Sequence, residues 1–125
     1  MSQSKPPASP VILVVEDEPL QRLMAIDLVE RAGFEAVEAG SADEAVRILE
    51  SRLDICVVFT DIDMPGGVDG MRLATMIRDR WPPIELIIIS GKHRLGIEGI
   101  PARSAFFSKP YKRDEVMAAM RRFAA

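Results

Sequence analysis

Val11-Ile-Leu-Val-Val15 and Ile55-Cys-Val-Val-Phe-Thr60 decide the fold, because each is an apolar run that ends in acid: Glu16, Asp17 and Glu18 follow the first, Asp61 and Asp63 the second. In an open parallel sheet the carboxyl ends of the strands line the ligand crevice. Two such runs bring their carboxylates to one mouth, which is the candidate site.

Outward from these runs, apolar β-branched segments alternate with amphipathic ones. The pattern predicts strands at 11–15, 34–38, 55–60 and 85–90, a short strand near 105–108, and helices over about 19–32, 42–52, 69–80 and 113–123. Leu20, Leu23, Met24, Ile26, Leu28 and Val29 fall at largely helical spacing in the first helix, and Gly33 supplies its left-handed stop. Ser41, with Glu44 three residues on, has the pattern of a capping box opening the second. Leu73, Met76 and Ile77 form the inward stripe of the third, which Pro82-Pro83 ends; Val116, Met117, Met120 and Phe123 form that of the last. Between Lys92 and Arg103 a helix is disfavoured by Gly96, Gly99 and Pro101, so this segment is expected to be irregular.

The chain has 125 residues, enough for one domain with a sizeable core. That domain is expected from residue 10 onward, after a flexible leader over residues 1–9 that holds proline and serine but no apolar stretch of a signal peptide. With 48% hydrophobic and 28% charged residues it reads as a soluble globular protein, and no apolar run approaches the ~20 residues of a membrane span. A net charge of −3 and a pI near 5.2 argue against nucleic acid as a ligand. The best basic cluster, Lys109, Lys112, Arg113, Arg121 and Arg122, reads mostly as the solvated face of the last helix. Cys56 is alone and lies inside an apolar strand, so a buried structural thiol in a reducing cytoplasm is expected. The methionines read as core filler, and His93, the single histidine, as an exposed loop side chain.

Carboxylates crowded at one mouth repel each other unless a cation neutralises them. A hard, oxygen-seeking ion suits them. Magnesium keeps several waters, takes few direct protein carboxylates and accepts phosphate oxygens, which fits Asp17 and Asp61 as ligands with Glu16 acting through water. Two further strand ends add Ser90-Gly91 after the fourth apolar run and Lys109-Pro110 after the fifth.

An acid pair, an isolated Asp, a Ser and a Lys-Pro at successive strand ends resemble the receiver domain of two-component response regulators, in particular alphaproteobacterial single-domain members, over about residues 10 to 123. The resemblance implies a flavodoxin-like, doubly wound five-stranded parallel sheet of order 2-1-3-4-5 with helices on both faces and a fourth helix that is short or irregular. It implies that Asp61 accepts a phosphoryl group from the phosphohistidine of a sensor histidine kinase or a histidine phosphotransfer protein. Asp17 would be a direct magnesium ligand, Glu16 a water-mediated one and Asp63 a contributor mainly through its backbone carbonyl. Lys109 would pair with the phosphoryl oxygens, and the Ser90 hydroxyl would turn in to bond one of them, with the aromatic ring of Phe106 following. A cis peptide before Pro110 is also implied. The result would be a free-standing cytoplasmic switch acting through protein contacts, with slow self-dephosphorylation rather than turnover of an external substrate.

The sequence departs from the family at four places, one of them the shortened, glycine-rich region 92–103, which falls where the family's output helix normally sits. Glu16 stands where Asp is common, Phe106 lacks the hydroxyl of the usual Tyr, and Gly66-Gly-Val-Asp-Gly70 is one residue longer than the usual loop. Asp63 and Lys92 occupy positions that tune acyl-phosphate lifetime in the family, and an ion pair between them would hinder the attacking water. Two other readings compete: a small phosphohydrolase using Asp61-Ile-Asp63 as an Asp-x-Asp motif, which such enzymes place after their first strand, and a degenerate receiver that binds partners without phosphorylation.

Overall fold

The computed structural model describes residues 10–63, 70–91 and 101–124. The expectations for the leader, for Gly66-Gly67, and for Lys92, His93 and the remainder of 92–100 concern residues outside these. Within them, β1 (Val11–Val15), α1 (Pro19–Arg31), β2 (Glu35–Ala39), α2 (Ala42–Ser51), β3 (Ile55–Asp61), α3 (Gly70–Arg80), β4 (Glu85–Ser90), β5 (Ser104–Ser108) and α4 (Arg113–Ala124) follow one another. The five strands form one sheet in the order β2-β1-β3-β4-β5, every pair parallel. This is the flavodoxin-like order, and its topological switch lies between β1 and β3, where the acidic runs end.

Alternate residues of the central strands feed two cores. Leu13, Val15, Val58, Leu86 and Ile88 pack under α2 and α3, while Ile12, Val14, Phe59, Ile87 and Ile89 pack under α1 and α4. Burial on both faces explains why these strands read as continuous apolar runs.

The helix ends follow local chemistry. Gly33, at φ +103°, turns the chain out of α1 in a conformation that a β-carbon disfavours. Ser41 Oγ accepts from the Glu44 N–H at 3.1 Å, and Glu44 reaches back to the Gly40 N–H at 2.7 Å, one residue earlier than in the simple capping box. β2 begins one residue later than the pattern suggested, because the Phe34 N–H closes α1 on Val29 and Glu35 is the first to join the sheet, through Pro10. At the far end of the sheet Arg78 donates to the carbonyls of Ala102, Pro82 and Ile84 at 2.7–2.8 Å, tying α3 to the entrances of β4 and β5.

The inward face of α1 is narrower than its apolar spacing implied. Ala25, Leu28 and Val29 are buried, whereas Leu20, Leu23 and Met24 are 64%, 62% and 52% exposed. The small Ala25 brings the helix close to the sheet and leaves the larger residues one face away. Methionine likewise fills less of the core than expected: of the described methionines only Met120 is fully buried, and Met71, Met76 and Met117 are half-buried. Cys56 is also half-buried, its thiol near the Val11 carbonyl at 3.4 Å and its pKa pushed up by burial. Among the described residues no helix is long and apolar enough to cross a membrane.

Leu28, fully buried between α1 and the sheet, and Leu23, largely exposed one turn earlier, should therefore respond differently to truncation. Urea denaturation should show Leu28→Ala losing about 2–5 kcal/mol and Leu23→Ala under about 0.5 kcal/mol. Equal losses would contradict this placement of the helix.

Candidate functional site

The parallel register brings the ends of β1, β3, β4 and β5 level. Val15 pairs with Thr60, Asp61 with Ile89, and Ser90 with Ser108, so the residues just beyond share one mouth. Asp61 closes β3 at 6% exposure. Its Oδ1 accepts from the Asp63 N–H at 2.7 Å and its Oδ2 from the Lys109 ammonium, which also reaches Gln21 Oε1 at 3.3 Å. Partial burial pulls the Lys109 ammonium down, but the hydrogen bond and charge of Asp61, backed by Glu16 and Asp63, outweigh it and its pKa is raised. The Lys109–Pro110 peptide is cis, as the resemblance implied.

Glu16 is buried at the end of β1, and its Oε2 accepts from the Glu18 N–H at 3.1 Å. Burial is the largest cause that pushes its carboxyl up to about 7; the Glu18 N–H opposes the shift and the adjoining Asp61 and Asp17 carboxylates add to it. Asp17 itself is exposed, on the short turn before α1, where Glu18 caps the helix by accepting from the Leu20 N–H at 2.8 Å. The turn is held from outside the acidic set. Arg22 donates to the Glu16 carbonyl at 2.9 Å and to Glu38 at 2.9 Å, and the missing side chain of Gly40 gives its guanidinium room, since a β-carbon there would lie 3.2 Å from it.

Ser90 is fully buried, and its hydroxyl donates to Asp63 Oδ1 at 2.9 Å. The Gly91 N–H donates to Asp63 Oδ2 at 2.7 Å. The structure therefore gathers Glu16, Asp61, Asp63, Ser90 and Lys109 in one network, with Asp17 at its rim. Phe106 stands apart, half-buried in the core under α2 and α3. The basic cluster divides: Lys109 turns into the site and Arg113 bonds Asp27 at 3.2 Å, leaving Lys112, Arg121 and Arg122 exposed on the surface.

Three contributors had no signal in a strand-end motif: Gln21 and Arg22, which look like ordinary helix-surface residues, and Tyr111. Tyr111 meets Phe59 edge-on at 6.1 Å and helps line a mostly apolar cavity beside Asp61 and Lys109, where burial pushes its hydroxyl pKa up.

Among the described residues no three acidic, histidine or cysteine side chains form a ready-made metal cage. A magnesium ion needs few direct protein ligands. The donors fit it: all are hard oxygens, and the repulsion that helps to lift Glu16 is what a divalent cation would relieve. Asp61-Ile-Asp63 follows the third strand, so the hydrolase reading loses the placement it required.

A family model, "Response regulator receiver domain", matches residues 12–121. The chain is 31% identical over 111 residues, 85% of its length, to the CAI-1 autoinducer sensor kinase/phosphatase CqsS of Vibrio cholerae, of which that covers 16%. It spans 8–24% of the length of the curated relatives it matches. A crystal structure of a response regulator receiver domain protein from Clostridium thermocellum superposes with a TM-score of 0.83 at 28% identity, covering 91% of this chain and 93% of that one. The response regulator TrrA of Thermotoga maritima, crystallised with Mg(2+)-BeF, superposes at 0.81 with 25% identity, covering 90% of this chain and 97% of that one.

Glu16 also predicts a pH effect in metal-free protein. The folded chain keeps its proton up to about pH 7 and the unfolded chain only to about 4.5, so the folded state binds more protons across that window and stability falls as pH rises through it. Urea titrations in a chelator should find Glu16→Gln more stable than the parent by about 2–3 kcal/mol near pH 8, the advantage shrinking as pH falls to about 4. A difference that does not change with pH would place its cause elsewhere.

Proposed function

The chain belongs to the response regulator receiver domain family, and on that premise we propose that it accepts a phosphoryl group on Asp61 from the phosphohistidine of a sensor histidine kinase or histidine phosphotransfer protein. The observation that carries the reading is the Lys109 ammonium set directly on a buried Asp61 carboxylate at the carboxyl end of the central strand.

In the transfer an Asp61 carboxylate oxygen attacks phosphorus, the phosphorus–nitrogen bond breaks, and the donor imidazole leaves with its electron pair to be protonated by solvent. Glu16, Asp17 and Asp61, with the Asp63 backbone carbonyl, would hold magnesium. When bound, the ion supplies positive charge that lets an anionic nucleophile meet an anionic phosphoryl group. Lys109 holds Asp61 in place before transfer, and after it the ammonium follows the new charge onto a phosphoryl oxygen. Ser90 turns its hydroxyl to another, and Phe106 responds to that movement by packing, since it has no hydroxyl of its own. The product is a switch of protein contacts whose acyl phosphate the chain hydrolyses slowly. A cytoplasmic setting suits both a kinase donor and the single thiol of Cys56.

Incubation with phosphoramidate and magnesium, followed by intact mass, should show a gain of one phosphoryl group. The gain should vanish in Asp61→Asn and without magnesium, and should slow at least tenfold in Lys109→Ala, a loss of order 1.4 kcal/mol in transition-state stabilisation. Undiminished uptake by Asp61→Asn would remove the assignment.

A further inference from the structure

Asp63 does more at this site than lend a backbone carbonyl. Its carboxylate is clasped at both oxygens by the end of β4, through the Ser90 hydroxyl at 2.9 Å and the Gly91 N–H at 2.7 Å. A serine hydroxyl has one proton to donate. While that proton lies on Asp63, it is withheld from any group arriving at Asp61.

The surrounding backbone keeps the clasp in register. The Asp63 N–H donates to Asp61 Oδ1 at 2.7 Å, the Ile62 N–H to the Ile89 carbonyl at 3.0 Å, and the Lys109 N–H to the Ser90 carbonyl at 2.9 Å. Asp63 is therefore held two residues from the phosphoacceptor with its side chain aimed across to the next strand. We infer that Asp63 is a positioning residue that latches the Ser90 hydroxyl in the unmodified state, so that a phosphoryl group on Asp61 must win this proton from a carboxylate before the chain switches.

The inference rests on the phosphoacceptor reading of Asp61. A phosphoryl group adds about −1.5 to −2 charge and strong acceptor oxygens, which compete for the hydroxyl and repel the Asp63 carboxylate from it. Asp63 is partly exposed, so the displaced carboxylate has water to move into. The latch thus holds the resting arrangement against chance reorientation of Ser90 and yields to a full phosphoryl charge.

Beryllofluoride with magnesium, a stable mimic of the phosphoryl group, tests this in a double-variant cycle read by titration calorimetry and by the amide shifts of Ser90 and Gly91. Asp63→Ala, which keeps the backbone carbonyl, should bind beryllofluoride about tenfold more tightly than the parent, and Asp63→Asn, a weaker acceptor of the same shape, by less. In a Ser90→Ala background Asp63→Ala should bring little further gain. Equal tightening in both backgrounds would mean general charge repulsion, and unchanged or weaker binding by Asp63→Ala and Asp63→Asn alike would mean no latch; either overturns the inference. If the parent binds no beryllofluoride and takes up no phosphoryl group in the mass assay, the phosphoacceptor reading falls and the latch with it, whereas parent binding without coupling removes the latch alone.

Discussion

The contact between the Lys109 ammonium and the Asp61 carboxylate is the constraint on which the site depends. A carboxylate left buried without a partner is costly, and Asp61 is 6% exposed among other acids. Lys109 is the one cation among the described residues in direct contact with it, and it comes from beyond the end of β5, 48 residues further along the chain. The sheet must close through β4 and β5 to deliver it. The site is therefore complete only with β5 in place at the edge of the sheet.

The pairing leaves part of the charge unanswered. Glu16, close to Asp61 and buried, has no cation of its own at its carboxylate among the described residues, and its pKa rises to about 7. Arg22 touches only the Glu16 backbone carbonyl and sends its other contact to Glu38, so it fixes the turn without quenching the acid. A local cost of this kind persists only where the surrounding structure over-determines it, and here two cores and five parallel strands do so.

The parts of this arrangement set by chain-local chemistry were legible in the sequence: strands buried on both faces, the acids that end them, the Gly33 stop and the Ser41 cap. What was not legible depends on packing between elements. Apolar spacing in α1 could not say which of its apolar faces meets the sheet, and the choice of Ala25, Leu28 and Val29 over Leu20, Leu23 and Met24 is made by close approach. β2 shifted by a residue because Phe34 serves the end of α1. Arg22 and Gln21 gain their roles from neighbours distant in sequence, and no motif encodes them.

The same logic bears on what an anion arriving at Asp61 would meet. Among the described residues, four donors beside Asp61 already serve a carboxylate: Lys109 and the Asp63 N–H serve Asp61, and the Ser90 hydroxyl and the Gly91 N–H serve Asp63. To use any of these four, an added anion would have to displace an existing bond. Three of those four bonds share Asp63, whose N–H and carboxylate sit on either side of the exchange, so losing one weakens the geometry of the next. Hydrogen bonds linked in this way polarise and position one another, so displacing one of them loosens its neighbours.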